Sequence, residues 1–340
     1  MIIAQWTNKI VSADRKPYHS APMSHHDAQN PSSRRSHSRP VLDENADFSG
    51  FQPTTPSTLM GRVQCVVRLV LVLLWGFWIC SIQGILIRLP GPAKILFPRL
   101  FWKGIGRILG IRTRVVGRIA GGVRSRKDVE RGARPVVYVA NHCSWLDIVV
   151  IGSVLPVVFV AKGEIGAWPL IGSAARVGGT IFVSRNRRDT GREVAEMAAR
   201  LRSGSDIVLF PEGTSSDGSR VLQFMSSFFA IAKPGRLERK EAEKAPPVLI
   251  QPISLVYDRL EGLPVGRSRR NVFSWYGDMD LTPHIWSFGQ WRSMGATLLM
   301  HPPLDPDDFK SRKQLANATF QAVNEGAAEL RHGRRDEDET

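Results

Sequence analysis

The sequence predicts an α/β fold, a mixed, largely parallel sheet flanked by helices and preceded by an N-terminal membrane-anchoring helix. Three observations predict it. Short β-branched apolar runs recur from Pro135 onward, helical periodicity separates them, and one long uncharged run stands ahead of them all.

Residues 1–58 mix Ser, His, Pro, Asp and Arg with little apolar periodicity, as in HHDAQNPSSRRSHSRP, and are expected to form a disordered tail. From Leu69 to Ile87 the chain reads LVLVLLWGFWICSIQGILI, uncharged, between Arg68 and Arg88. As a helix this run rises roughly 28 Å at about 1.5 Å per residue, close to the hydrocarbon thickness of a bilayer. It lies too deep in the chain and is too long for a cleaved signal peptide. A buried core helix is the alternative. Arg88, Lys94, Arg99, Lys103 and Arg107 follow the run, against Arg62 and Arg68 before it. The positive-inside tendency then puts the C-terminal bulk in the cytoplasm, on the inner face of the cell membrane. Whether the helix spans or dips into one leaflet is left open.

PGPAKILFPRLFWKGIGRILGI, over residues 90–111, suits a helix lying among headgroups or one packed on the protein's own core. Residues 59–111 thus form the expected anchor, 112–330 the main domain and 331–340 a solvated charged tail. Within the domain, PVVYVA (135–140), VVFVA (157–161), TIFV (180–183) and DIVLF (206–210) read as buried, mainly parallel strands. Thr190 can cap a helix whose Val194, Met197, Ala198 and Leu201 follow the 3.6-residue period. Later strands are expected over 248–257, around 271–276 and near 296–300, with a final helix over 311–330.

Charge and cysteines narrow the function classes. Forty-six basic residues against 31 acidic give a net charge of +15. Such a surplus attracts phosphate on a bilayer, an acidic carrier or a nucleic acid. No nucleic-acid-reading module is recognisable, so nucleic acid is not an expected partner. Cys65, Cys80 and Cys143 lack disulfide-framework or metal-ligand spacing, and no metal site is expected.

Three constellations carry chemistry. NHCSWLD, Asn141 to Asp147, follows the strand VVYVA, where open α/β sheets place their sites. On one straight helix His142 and Asp147 would diverge by about 140°. They meet only if the chain turns between them, which a helix N-cap at Ser144 supplies. Asp147 then fixes the tautomer of His142, or it merely caps the helix beside a loop histidine. FPEGTSSDGS, Phe210 to Ser219, places Glu212, Gly213 and Thr214 in a tight turn whose amides could hold an oxyanion or phosphate oxygen. GGTIFVSRNRR releases Arg185, Arg187 and Arg188 from a strand end, either as anion contacts or as a solvated basic loop.

NHCSWLD, GGTIFVSR, FPEGTSS and LIQPISLVY occur in the order and approximate spacing of four motifs. In this the chain resembles the glycerolipid acyltransferase family, which includes the lysophosphatidic acid acyltransferases. The resemblance covers roughly residues 60–305. It implies His142 as catalytic base with Asp147 as its partner, and Arg185 as the acceptor-headgroup arginine. It implies acceptor binding by Glu212, Gly213 and the adjoining Thr214, an acyl-side role for Pro252, and possible headgroup contacts at Arg187 and Arg188. It also implies acyl-CoA or acyl carrier protein as donor, a lysolipid as acceptor, the bilayer as a partner and no cofactor.

The acceptor expected first is 1-acyl-sn-glycerol-3-phosphate, acylated at sn-2 to phosphatidic acid. The alternative is a lyso-ornithine lipid, because two positive charges of the family pattern are missing. Ser215 stands where FPEGTRS has arginine, and Phe224 is followed by Met225 rather than lysine. WYGDMDLTPH (275–284) also resembles the lyso-ornithine-lipid branch. A reading of another class makes Cys143 the nucleophile of a thioesterase or hydrolase.

Overall fold

The structure, a computed structural model, describes residues 58–123, 125–168, 171–183, 190–234 and 245–333. Most of both expected tails, residues 1–57 and 334–340, lies outside them, as do Arg185, Arg187 and Arg188.

The first described element, α1 (Leu59–Leu86), begins directly after the expected tail and holds the uncharged run except Ile87, its C-cap. Thr58 caps it, its side chain accepting from the Gly61 amide. At 28 residues the helix is about 42 Å long, and it is apolar enough to cross a membrane. Only 11% of its most apolar window is buried, so it is not the core helix of the alternative reading. Val70, Leu73, Phe77, Trp78 and Ile85 are exposed along it. α2 (Ala93–Leu109) runs back beside α1, tied to it by Trp75 Nε1 donating to Phe101 O and Gln83 Nε2 donating to Lys94 O, both at 3.0 Å.

Arg68 departs from the sequence expectation. The sequence makes it a charge flanking a membrane segment, yet it lies inside α1 and is buried. Its guanidinium donates to the carbonyls of Gly289 (3.1 Å), Trp291 and Arg292 (2.8 Å). These carbonyls follow α7 (Leu281–Phe288), where helix geometry leaves acceptors unsatisfied and a cation is favoured. Gln64 Nε2 adds a bond to Trp291 O at 3.0 Å. The beginning of α1 is therefore fastened to the same body into which α2 leads.

That body is an eight-stranded sheet. In chain order the strands are β1 (Ile111–Val116), β2 (Val136–Ala140), β3 (Val157–Lys162), β4 (Ile181–Val183), β5 (Asp206–Leu209), β6 (Leu249–Leu260), β7 (Leu263–Pro264) and β8 (Met294–Met300). Their spatial order is β1-β8-β6-β2-β5-β3-β4, with β7 beside β6. Among the described strands the β6–β8 and β6–β7 pairings are antiparallel and the others parallel, so the sheet is mixed and largely parallel.

Both faces of the sheet are covered, which is why the strands read as continuous apolar runs. Alternation along β2 divides the core: Val136, Tyr138 and Ala140 face α2 and α4 (Leu146–Val154), while Val137 and Val139 belong to the other layer. That second layer holds α6 (Thr190–Arg202) and α8 (Arg312–Arg331). The remaining helices, α3 (Arg126–Glu130) and α5 (Ile171–Val177), are short.

The strand expected around 271–276 is absent. Arg267–Val272 is a 3₁₀ turn, and the residues after it run as irregular chain. Their bonds explain why: the Trp275 amide donates to Cys143 O at 2.8 Å, and Ser274 Oγ donates to Asp217 O at 2.8 Å. The segment is committed to the loops at the end of β2 and β5 rather than to a neighbouring strand.

Candidate active site

β2 ends at Ala140, and the next residues pass between β6 and the loop after β5. Asn141 holds this exit to β6: its Nδ2 donates to Leu255 O at 2.9 Å and its Oδ1 accepts from the Leu255 amide at 2.8 Å. The side chain thus imitates one more rung of the ladder. Sequence reasoning missed this role, although an Asn directly after a buried strand is a signal for it.

The chain then turns, and His142 meets Asp147. His142 Nδ1 lies 2.8 Å from Asp147 Oδ2. The same Oδ2 accepts from the amides of Cys143 (2.7 Å) and Ser144 (3.0 Å). Asp147 is fully buried, while the His142 side chain keeps 20% of its surface exposed. Its ring stacks on Phe210 at 4.3 Å between centroids. The choice posed by the sequence, helix cap or histidine partner, is no choice: Asp147 is both.

The capping geometry differs in detail from the expectation. The N-cap of α4 is Trp145 rather than Ser144, and the Ser144 hydroxyl has no partner among the described residues. Only the carboxylate half of the capping box forms. Trp145 is held in turn by its indole N–H, which donates to His284 Nδ1 at 3.1 Å. Burial keeps that imidazole's pKa down near 4, so it is a neutral acceptor.

The loop after β5 is laced onto His142. The His142 amide donates to Glu212 Oε1 at 2.8 Å, and Glu212 Oε2 accepts from the Leu222 amide at 3.1 Å. Ser216 returns the contact, its amide donating to His142 O at 2.9 Å. Glu212 is buried, and burial raises its carboxyl to about 8 against the two amides that favour the anion. The resemblance implies acceptor binding by Glu212, but both oxygens of its carboxyl group take backbone amides of the protein itself.

Gly213 has φ +69, a left-handed conformation that side chains rarely adopt, so the turn favours glycine. Thr214 beside it is exposed. Pro252, expected near the acyl chain, sits inside the sheet, buried and opposite Val139 in the parallel register of β2 and β6. Its carbonyl accepts from the His301 amide at 3.1 Å.

The thiol reading fails on geometry. Cys143 is buried beneath the turn, with Sγ 3.7 Å from Asp147 Oδ1. Burial first, then the charges of Asp147 and Glu212, push its thiol well above the ordinary range. A buried, protonated thiol is not a nucleophile. One further residue escaped the sequence reading: Tyr257 of β6, whose hydroxyl donates to Asp147 Oδ1 at 2.7 Å. Its place in an apolar strand gave no sign of that contact.

An imidazole oriented by a buried carboxylate, with one face packed and part of the ring open, has the geometry to accept a proton from a hydroxyl. Comparison with known proteins gives the family of the chain. The sequence profile of the family named Acyltransferase matches residues 122–256. A lyso-ornithine lipid O-acyltransferase of Brucella abortus (strain 2308) is 35% identical over 228 residues, covering 67% of this chain and 80% of that protein. Another, of Rhizobium meliloti (strain 1021), is 32% identical over 277 residues, covering 81% and 87%. A 1-acyl-sn-glycerol-3-phosphate acyltransferase of Neisseria gonorrhoeae is 39% identical over 98 residues, covering 28% and 38%. With relatives this similar matched over most of their length, the chain belongs to the acyltransferase family.

Proposed function

We propose that the protein moves a fatty-acyl group from a thioester, carried by coenzyme A or acyl carrier protein, to the free hydroxyl of a lyso-ornithine lipid. The observation that carries the chemistry is the 2.8 Å contact of His142 Nδ1 with Asp147 Oδ2. With Nδ1–H donated to the carboxylate, Nε2 keeps its lone pair. A lipid hydroxyl is too weak an acid to attack unaided at neutral pH. Nε2 takes its proton as the oxygen attacks the thioester carbonyl, and buried Asp147 stabilises the imidazolium that forms. The tetrahedral intermediate then expels the thiolate, which takes the proton back from His142. An ester and a free thiol are the products. The thioester itself supplies the activation, and no step passes through a cofactor. Glu212 serves here as a strut between the loop and His142 rather than as an acceptor contact.

Two observations support the ornithine-lipid acceptor, reversing the order taken from the sequence alone. The relatives matched over most of their length are named for it. The charges missing at Ser215 and Met225 would each have made a charge-assisted bond worth roughly 1.5–3 kcal/mol to a phosphomonoester. The second reading, 1-acyl-sn-glycerol-3-phosphate, is favoured by the shorter match to the Neisseria protein and by Arg185, Arg187 and Arg188. A side-by-side comparison of kcat/KM for the two lysolipids should favour lyso-ornithine lipid by about tenfold or more. Ser215→Arg should bring no gain with it. A preference for the phosphate lipid, lost in Arg187→Gln/Arg188→Gln, would restore the second reading.

The hairpin supports a membrane-bound enzyme whose residues 59–111 enter one leaflet and whose residues 112–330 form the acyltransferase domain. Gln64 and Arg68 fasten the start of α1 to the domain, and α2 returns to it, so the tip around 87–92 reaches furthest. Both ends of the hairpin then share the cytoplasmic side with the domain. A cysteine introduced in Met60→Cys should react with an impermeant maleimide in sealed vesicles whose cytoplasmic face points outward. Labelling only from the opposite face would mean that α1 spans.

A further inference from the structure

Tyr257 lies on β6, away from the turn that carries His142 and Asp147. Its ring is buried and parallel to Phe273, with centroids 4.7 Å apart and planes 7° apart. Its pairing with Ala296 of β8 is the last before the register shifts ahead of Arg259. A bulge at such a place fixes where the preceding side chain falls. The hydroxyl donates to Asp147 Oδ1 at 2.7 Å.

The two oxygens of Asp147 have different neighbours. Oδ2 takes His142 Nδ1 and the amides of Cys143 and Ser144. Oδ1 takes the Tyr257 hydroxyl, with only the weak donor Cys143 Sγ beside it at 3.7 Å. A carboxylate held through one oxygen can still rotate about its terminal bond, where the torsional preference is broad. A short bond to the other oxygen fixes its plane. Burial and the charge of Asp147 hold the phenol well above its ordinary range, so it remains a donor at any working pH.

We propose that Tyr257 is a positioning residue of the acyl-transfer site, fixing the plane of the Asp147 carboxylate and through it the direction and proton affinity of His142. The inference rests on the reading of His142 as the base. Other titrating groups face this centre from each side. Cys143 lies within the turn, Glu212 and Asp217 lie on the loop after β5, and Arg270 and Arg331 lie beyond Asp217. None of them is a strong donor to Oδ1. Without the phenol that oxygen becomes more basic, and the proton on His142 is held more tightly.

Tyr257→Phe removes the donor and keeps the ring. The plateau kcat should fall about tenfold, the equivalent of one hydrogen bond to a charged group, while both KM values change less than twofold. The pH midpoint for carbethoxylation of His142 by diethyl pyrocarbonate, followed by peptide mass spectrometry, should rise by about half a unit. Tyr257→Leu, which also removes the ring, separates packing from positioning. If packing is the only role, Tyr257→Phe matches the wild type and Tyr257→Leu alone is impaired, which overturns the proposal. A fall in kcat without a shift of the midpoint overturns it too. The carbethoxylation midpoint needs no substrate, so it reports on Tyr257 even if the acyl-transfer reading fails.

Discussion

Replacing His142 with alanine should lower kcat by about 10²–10⁴-fold, the range that a positioned general base supplies. The loss should fall on kcat rather than on the KM of either substrate, because the base acts on the proton in the transition state. Asp147→Asn should be nearly as damaging, for two separable reasons. An amide at Oδ2 cannot accept from His142 Nδ1 and from two backbone amides as a carboxylate does. It also removes the charge that stabilises the imidazolium. His142→Ala should leave the unfolding temperature close to that of the wild type, since the ring is partly exposed. Asp147→Asn should lower it, because the carboxylate also caps α4. Cys143→Ser is the control, expected to retain most activity; its loss would revive a thiol mechanism. Steady-state kinetics with thermal unfolding of the detergent-solubilised variants reads all of these.

Glu212→Gln should lower kcat by about 10–10²-fold through the backbone rather than through substrate contact. The two carboxyl oxygens of Glu212, which remain acceptors with the acid protonated, take the amides of His142 and Leu222 at once. The amide of glutamine has one oxygen, so one buried N–H then faces another donor, a loss of roughly 1–3 kcal/mol. The loop should detach from His142, and kcat should fall with little change in KM for the acceptor. A change confined to KM would instead assign Glu212 to the acceptor. The pH dependence of stability supplies a second reading. Glu212 titrates near 8 when folded against an ordinary 4.5, so its folded form binds the proton more tightly. Its stabilising contribution is present below about 4.5 and is lost as pH rises through about 8. Glu212→Gln should flatten that part of the curve of Tm against pH.

Much of this architecture could be read from residues. The strands at Val136, Val157, Ile181, Asp206, Leu249 and Met294 are rich in β-branched or apolar residues, and the helix at Thr190 keeps its period. Where reading failed, a single partner decided the outcome. NVFSWY looks like a strand, but the Trp275 amide and Ser274 hydroxyl bind loops, which no local pattern encodes. Arg68 looks like the polar border of a membrane helix, but the carbonyls that hold it lie more than two hundred residues away. β1 was invisible because IRTRVV alternates charge with apolar residues at the sheet edge. At the candidate site the turn that brings His142 to Asp147 was inferable from helix geometry. Tyr257 was not, because its contact depends on the pairing of β2 with β6.

The central claim, acyl transfer from a thioester to a lysolipid hydroxyl, is tested most directly by the stoichiometry of one reaction. Purified protein in phospholipid vesicles would receive a radiolabelled acyl thioester and lyso-ornithine lipid, with released thiol and labelled lipid measured together. The account predicts one molecule of doubly acylated lipid for each thiol released, no release when the lysolipid is omitted, and neither product from His142→Ala. Thiol release accompanied by free fatty acid, at the same rate with or without lysolipid, would contradict it.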